Sequence, residues 1–437
     1  MTRNVTLAAA LTESEERYRA ANPKSLARYD QACGSMPGGN TRTVIFYPPF
    51  PLTMARGEGA YLWDLDGHRY RDFLGEYSAG LYGHSHPRLQ AALREALENG
   101  VVLGAPGRHE AELAELMTGR FPSLELVRFC NSGTEANLMA LGAARAVTGR
   151  DKIMVFDGAY HGGVLYFAHG PSPVNAPFPV VLGRYNDAEA SGALIDQEGD
   201  QIAAILVEPM MGAGGCIPAD PAFLASLRDA ASRHGILLIF DEVMTSRLAP
   251  GGLQERFGVT PDLTSFGKYL GGGASFGAFG GRRDIMARFD PRSPDALPHA
   301  GTFNNNVLTM AAGATGLREI FTAEAAEALN ARGDGLRARL NQLCRARGLP
   351  WQASGLGSLL NLHPSDRPLA RPEDLAGAPE AARQLLHLEM IARGFYLARR
   401  GYMSLSLQLE ESDLEAFAEA FDDFLECHAT VLAQETL

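Results

Sequence analysis

Short apolar runs alternate with helical patterns through the middle of the chain. Leu126–Cys130, Lys152–Phe156, Ile202–Val207, Ile236–Phe240, Leu263–Phe266 and Phe276–Gly280 are strand-like, and between them apolar residues recur at helical spacing. Continuous apolar runs joined by helices predict a mainly parallel, doubly wound sheet covered by helices on both faces. This large domain is expected over residues 77–316. Residues 1–76 precede it. They begin with a helical stretch from about Glu13 to Cys33, which Met36-Pro37-Gly38-Gly39-Asn40 ends. Short β-rich pieces between Leu52 and Phe73 meet at Asp66-Gly67, a hairpin signal. Residues 317–437 are helix-rich, with strands expected at Ser358–Leu362 and Met403–Leu407. A last helix is expected from Ser412, where Ser412 and Glu415 form a capping-box pattern and Leu414, Phe417 and Phe421 share a face. The fold class is therefore α/β, with a smaller α+β domain built from the N- and C-terminal segments.

Composition narrows the range of partners. A chain of 437 residues exceeds a single small core, and 46% hydrophobic with 21% charged residues is ordinary for a globular protein. Acidic residues outnumber basic ones, 51 to 39, and Lys and Arg do not cluster, so neither nucleic acid nor an anionic membrane is an expected partner. Cys33, Cys130, Cys216, Cys344 and Cys427 are scattered and lack metal-ligand spacing, so free thiols and no metal site are expected. The run Leu7–Leu11 is too short, and too soon followed by Glu13, Glu15 and Glu16, for a signal peptide. No stretch reaches the ~18 apolar residues of a membrane span. A cytoplasmic location is the expectation.

The candidate chemistry sits where strands end. Leu238-Ile239-Phe240 runs into Asp241, and Ser265-Phe266-Gly267 runs into Lys268, which Gly271-Gly272-Gly273 soon follows. A lone carboxylate and a lone amine after apolar sequence are costly to bury without partners. Pyridoxal phosphate would supply both, an aldehyde for the lysine and a ring nitrogen whose proton the aspartate can hold. A structural Lys–Asp ion pair is the plainer alternative. In Cys130-Asn131-Ser132-Gly133-Thr134-Glu135-Ala136-Asn137 a strand hands over to a helix, whose first amides can receive a phosphate. Gly133 allows close approach, and Ser132 and Thr134 add hydroxyls, although an ordinary N-cap favours the same residues. A helix end contributes only ~0.3–1 kcal/mol to an exposed anion, so direct hydrogen bonds must do most of the holding. Tyr160, in Asp157–Gly163 after another strand, could lie flat on a pyridine ring, while neighbouring His161 has no assigned role. Gly267-Lys268 is not a nucleotide loop, because Tyr269 stands where Ser or Thr is required and Asp262 where the first glycine is.

In combination, Asn131–Asn137, Phe156–Gly162, Val207–Gly212, Phe240–Thr245, Pro261–Gly273 and Gly301–Asn305 resemble class III, fold-type I pyridoxal-phosphate aminotransferases over nearly the whole chain. Asn131–Ala136 and Asp241–Thr245 are similar to glutamate-1-semialdehyde aminomutases. Gly39–Tyr47 and Gly301–Asn306 are closer to β-amino-acid (β-phenylalanine) aminotransferases. The resemblance implies that Lys268 condenses with the cofactor aldehyde, Asp241 pairs with the pyridine nitrogen and Val243 packs beneath the ring. It also implies that Ser132, Gly133 and Thr134 bind the phosphate, with Thr302 supplied by the second subunit of a homodimer. Met244 stands where many class members place a Gln against the phenolic oxygen, whereas the aminomutases and β-amino-acid enzymes resemble this chain in carrying Met.

Arg42 and Arg400 are implied carboxylate anchors, since guanidinium grips a carboxylate bidentately. Arg399 competes for the second role. Tyr77 and Tyr82 would wall the side-chain pocket or simply fill a core. The implied function is transfer of the amino group of an aromatic β-amino acid to a 2-oxo acid such as 2-oxoglutarate or pyruvate. Arg42 is expected to serve mainly the β-amino-acid half-reaction and Arg400 the 2-oxo-acid half. An intramolecular aminomutase, or a non-catalytic protein of the same fold, are the alternatives.

Overall fold

The computed structural model describes residues 6–168 and 170–434. The chain forms two compact units. One comprises Met1–His86, Ala331–Pro368 and Leu375–Leu437, the other Pro87–Asn330 with Leu369–Asp374.

The second unit is built on a seven-stranded sheet. Its strands are β1 (Leu126–Cys130), β2 (Lys152–Phe156), β3 (Val180–Gly183), β4 (Ile202–Val207), β5 (Leu237–Asp241), β6 (Leu263–Gly267) and β7 (Gly277–Gly281), in the spatial order β1-β7-β6-β5-β4-β2-β3. β7 runs antiparallel to β6 and β1, and the other pairings are parallel. β4, β5 and β6 are buried along their whole length, which is why they read as uninterrupted apolar runs. β3 was not among the expected strands. It is a four-residue edge strand with alternating burial, so it carries too few apolar positions to stand out.

Register is what positions the chemistry. Asp241 is the last residue of β5 and lies opposite Ser265 of β6, so β6 runs two residues further before it delivers Lys268. The helix Gly133–Thr148 packs on this part of the sheet through Ala136, Ala140, Ala143 and Ala144, against a core that includes Ile239, Leu263 and Phe279. Four alanines on one face let the helix backbone come close to the strands.

In the first unit, the helical stretch expected from Glu13 to Cys33 is two helices, Leu7–Ala21 and Pro23–Cys33. Pro23 has no N–H to continue a helix but suits the first turn of a new one. Asp66-Gly67 does join two antiparallel strands, Tyr61–Asp64 and Arg69–Asp72. The strand expected over Met403–Leu407 is shorter and earlier, Tyr402–Ser404, and pairs with Leu359–His363. The C-terminal helix runs from Glu411 to Gln434. Its first turn is tied by Asp413, whose carboxylate accepts from the Glu410 N–H at 3.0 Å and from Arg71 Nε at 2.6 Å. Leu414, Phe417 and Phe421 are buried on its inner face.

Gly277 of β7 leaves no room for a side chain, because a Cβ there would overlap the Ser132 carbonyl. Gly277→Ala is therefore expected to destabilise the apoprotein by roughly 1–3 kcal/mol, the usual cost of overpacking. Calorimetry of mutant and parent checks this, and an unchanged thermal midpoint would contradict the packing described.

Candidate active site

Two adjacent strands of the second unit end on the two charged residues. Asp241 is only 4% exposed, yet every part of its carboxylate is engaged. Oδ1 accepts from the Val243 N–H at 3.0 Å, and Oδ2 accepts from Asn137 Nδ2 and from His161 Nδ1, both at 2.8 Å. A carboxylate offers only acceptors, so the His161 ring carries its proton on Nδ1. Asn137 is fully used: Nδ2 also donates to the His161 carbonyl at 2.9 Å, and Oδ1 accepts from Ser265 Oγ at 2.5 Å. One helix, two strands and the turn after β2 are thus fastened around a single carboxylate.

Lys268 is half-buried and sits at φ +57°, a left-handed conformation that non-glycine residues avoid. Strain of this kind persists where the surroundings over-determine the backbone, and it concentrates at functional positions. Val243 lies against two glycines. A Cβ on Gly133 would come within 2.8 Å of both Val243 methyls, and one on Gly267 within 3.0 Å of Cγ1. Both positions must lack side chains for Val243 to sit there.

Ser132 does serve as the N-cap of its helix, accepting from the Glu135 N–H at 3.2 Å, and Glu135 in turn accepts from the Asn131 N–H at 2.9 Å. The Gly133 and Thr134 N–H groups have no intrahelical partners by helix geometry. Thr134 Oγ1 accepts from the Gly163 N–H at 3.2 Å. The ordinary cap and an anion site therefore coexist, with the hydroxyl protons and two amides available at the helix mouth. Asn304, in the exposed turn that carries Thr302, accepts from Asn131 Nδ2 at 3.1 Å beside this mouth. Tyr160 is partly exposed, edge-on to Tyr166 with ring centres 5.8 Å apart, and its N–H donates to Glu208 Oε1 at 3.0 Å.

Glu208 is a residue the sequence reading did not single out. It is buried, and its Oε2 accepts from the Gly212 N–H at 2.9 Å. Burial lifts its carboxyl to about 7; His161 opposes the rise and Asp241 adds to it. Asn137, Ser265 and His161 likewise had no assigned role. All three lie inside matched blocks, Asn131–Asn137, Pro261–Gly273 and Phe156–Gly162, but nothing local in the sequence joins them.

The remaining expected residues belong to the first unit. Tyr77 stacks on Tyr402 (5.7 Å between centres, 13° between planes), and its hydroxyl donates to the Val44 carbonyl at 2.9 Å. The guanidinium carbons of Arg42 and Arg400 lie 5.8 and 5.5 Å from the centre of the same Tyr77 ring. Arg42 is ion-paired with Glu76. Arg400 is half-buried, its Nε–H is buried without an acceptor, and no carboxylate pairs with it among the described residues. Arg399 is engaged with Glu380 at 2.8 Å. Tyr82 is buried in the core of this unit rather than displayed at a surface. Among the described residues no group of His, Cys, Asp and Glu could hold a metal ion, and no helix is long and apolar enough to cross a membrane.

Residues 46–368 match the aminotransferase class-III family. The chain belongs to that family. It is 52% identical over 423 residues, 97% of both chains, to the β-phenylalanine transaminase of Variovorax paradoxus. The crystal structure of a β-phenylalanine aminotransferase from Variovorax paradoxus superposes with a TM-score of 0.96 at 52% identity, covering 98% of this chain and 99% of that one. An ω-transaminase from Sphaerobacter thermophilus is 39% identical with a TM-score of 0.86, covering 94% and 97%. A glutamate-1-semialdehyde aminomutase from Pseudomonas aeruginosa PAO1 shares the fold, with a TM-score of 0.88 at 24% identity over 97% of this chain and 98% of that one.

This chain is a pyridoxal-phosphate-dependent transaminase. The residues present fit the cofactor. A carboxylate held by three donors ends one strand, a left-handed lysine follows the next, and a helix mouth offers N–H and O–H donors beside glycines a Cβ would fill.

The Glu208 carboxyl gives a pH signature. Its ordinary value lies near 4.5 and its folded value at about 7, so its contribution to stability is whole below the former and is lost as pH rises through the latter. Relative to Glu208→Gln, the parent apoprotein is expected to lose stability between these two values. Denaturant midpoints of the pair across pH check it, and parallel curves would contradict a raised Glu208.

Proposed function

We propose that this transaminase moves the amino group of an aromatic β-amino acid, such as β-phenylalanine, to a 2-oxo acid such as 2-oxoglutarate or pyruvate. The observation that carries the reading is the pair of arginines on the Tyr77 ring, one open and one already neutralised. The full-length similarity to a β-phenylalanine transaminase supports it.

Pyridoxal phosphate, when bound, supplies the aldehyde that takes the amino group and a protonated ring that draws electrons from the substrate carbon. Asp241, fixed by Asn137, His161 and the Val243 N–H, would hold the positive charge of the ring nitrogen. Val243, packed against Gly133 and Gly267, and the partly exposed Tyr160 would be the side chains that hold the ring. Ser132, Gly133 and Thr134 bind the phosphate through O–H and N–H donors. Lys268 Nζ would be the group that holds the cofactor aldehyde, and its free amine would serve as the base and acid that moves a proton from the amine-bearing carbon and returns it on the other side of the transfer.

Arg400 grips the substrate carboxylate. The state of each arginine, and not its place in the chain, divides the half-reactions. An unpaired guanidinium serves any carboxylate, so Arg400 suits the β-amino acid, and Arg42 adds the second anchor that a dicarboxylate acceptor requires. Tyr77 lines the same patch. Tyr82 keeps, at most, a supporting role there. An aminomutase for one semialdehyde would need no second anchor, which favours the transaminase reading.

A homodimer is part of the proposal, with Thr302 given to the phosphate of the other subunit. Exposed Val102, Leu103 and Phe303 support a covered surface, and Asn305 Nδ2 ties their two loops together through the Ala105 carbonyl at 3.1 Å. Five free cysteines support a reducing, cytoplasmic setting.

With β-phenylalanine and 2-oxoglutarate, Lys268→Ala is expected to fold and to lack turnover. Arg400→Ala is expected to cost about 30-fold or more in kcat/KM for the donor, the scale of losing one partner of a desolvated charge pair. Glutamate formed by the aminated enzyme from 2-oxoglutarate separates a transaminase from a mutase. No glutamate, or a loss of only a few-fold in Arg400→Ala, would overturn the assignment.

A further inference from the structure

We propose that Leu369–Asp374 is a strap that positions the turn carrying Tyr160, with Pro372 as the positioning residue through which it acts. The proposal rests on the reading of Tyr160 as one of the side chains that hold the cofactor ring. All the residues concerned belong to the second unit.

Leu369–Asp374 is the one stretch after Asn330 that belongs to the second unit, and it lies just past residues 46–368, which match the aminotransferase family. It is folded on itself: Asp374 Oδ2 accepts from the Ala370 N–H at 2.9 Å and from the Arg371 N–H at 2.8 Å. Its polar links go to the chain that follows β3. Arg371 Nε donates to the Tyr185 carbonyl at 3.2 Å, its Nη2 lies 3.5 Å from Asp187 Oδ2, and Arg184 Nε pairs with Glu373 at 2.6 Å. Asn186 is left-handed, at φ +54°, a conformation Asn adopts more readily than most residues. Its Nδ2 donates to the Ala370 carbonyl at 2.7 Å and to the Pro218 carbonyl at 3.0 Å, and its Oδ1 accepts from the Asp220 N–H at 2.8 Å. A segment that merely crossed the surface would need no such set of bonds.

The apolar contact shows what the strap holds. Pro372 packs against Gly158, in the turn after β2, and against Gly214, in the loop that follows β4. A Cβ on Gly158 would overlap the Pro372 ring, and one on Gly214 would come within 3.0 Å of its Cγ. Two glycines from separate loops thus leave one hole, which the proline fills. The turn is a single closed unit. The Gly158 N–H donates to the Phe167 carbonyl at 3.0 Å, the Phe167 N–H to the Ala159 carbonyl at 2.9 Å, and the His161 N–H to the Leu165 carbonyl at 2.9 Å. One of its anchors is His161 on Asp241. The strap supplies another at Gly158, two residues before Tyr160. Because Tyr160 is 44% exposed, the backbone of the turn has to do much of its placing. A second route ends on the same residue. Arg371 holds the Tyr185 carbonyl, the Tyr185 hydroxyl donates to the Glu208 carbonyl at 2.8 Å, and the Glu208 carboxylate accepts from the Tyr160 N–H.

The test follows two readouts in Pro372→Ala and Arg371→Ala. In the apoproteins, amide hydrogen exchange over residues 157–167 is expected to quicken about three- to fivefold, the scale of losing two half-buried methylenes, while residues 237–241 of β5 keep the parent rate. The second readout is release of pyridoxamine phosphate from the loaded enzyme. This form has no aldehyde to bond to Lys268, so its release reports the non-covalent grip alone. Both variants are expected to release it about three- to fivefold faster than the parent, a change in off-rate of the same scale. In a Tyr160→Ala background neither substitution is expected to quicken release further, since the strap acts through Tyr160. Unchanged exchange over 157–167 overturns the proposal, and so does release that quickens equally without Tyr160. Release from Tyr160→Ala at the parent rate overturns it from the other side, through the reading of Tyr160 on which it rests.

Discussion

Asp241 ends a strand that is buried on both faces, and its carboxylate has to be stabilised there by donors brought from elsewhere in the chain. Val243 supplies one from the turn that follows, Asn137 a second from the helix that opens at Ser132, and His161 a third from the turn after β2. These bonds fix more than a charge. They set the height of the helix on the sheet, and so the position of the Gly133 and Thr134 amides. They also hold the turn that carries Tyr160. Losing one donor would leave a buried carboxylate under-paired and would loosen the helix mouth as well, so the buried charge and the local architecture depend on the same contacts.

The first unit rests on a different balance. Its two arginines share one tyrosine ring but not one state: Arg42 has an acid, Arg400 has none among the described residues. The left-handed run through Gly75–Ser78 carries both Tyr77 and the acid that pairs with Arg42.

Much of the sheet was legible in the sequence because parallel strands buried on both faces leave continuous apolar runs, against which Asp241 and Lys268 stand out. The edge strand Val180–Gly183 lacked that contrast, and the break at Pro23 was hidden inside an even helical pattern. The support around Asp241 was not legible for a different reason. Asn137 lies 104 residues from Asp241 and Ser265 lies 128 from Asn137, so nothing local marks them as partners. Glu208 sat inside a matched block, but its raised carboxyl comes from burial beside Asp241 and His161, a property of three-dimensional packing. The strained turn was silent too, since glycine is the usual signal of a left-handed backbone and only one of its four residues is glycine.

The most direct test is the protonation state of the cofactor's ring nitrogen. Apoprotein of the parent and of Asp241→Asn would be loaded with pyridoxal phosphate carrying a ¹⁵N ring nitrogen, and its chemical shift followed from mildly acid to mildly alkaline pH. The expected result is a protonated nitrogen throughout in the parent and an unprotonated one near neutrality in the variant, since a neighbouring carboxylate favours the charged form. An unprotonated nitrogen in the parent at neutral pH, or the same shift in both proteins, would contradict the role given to Asp241 and to the three donors that hold it.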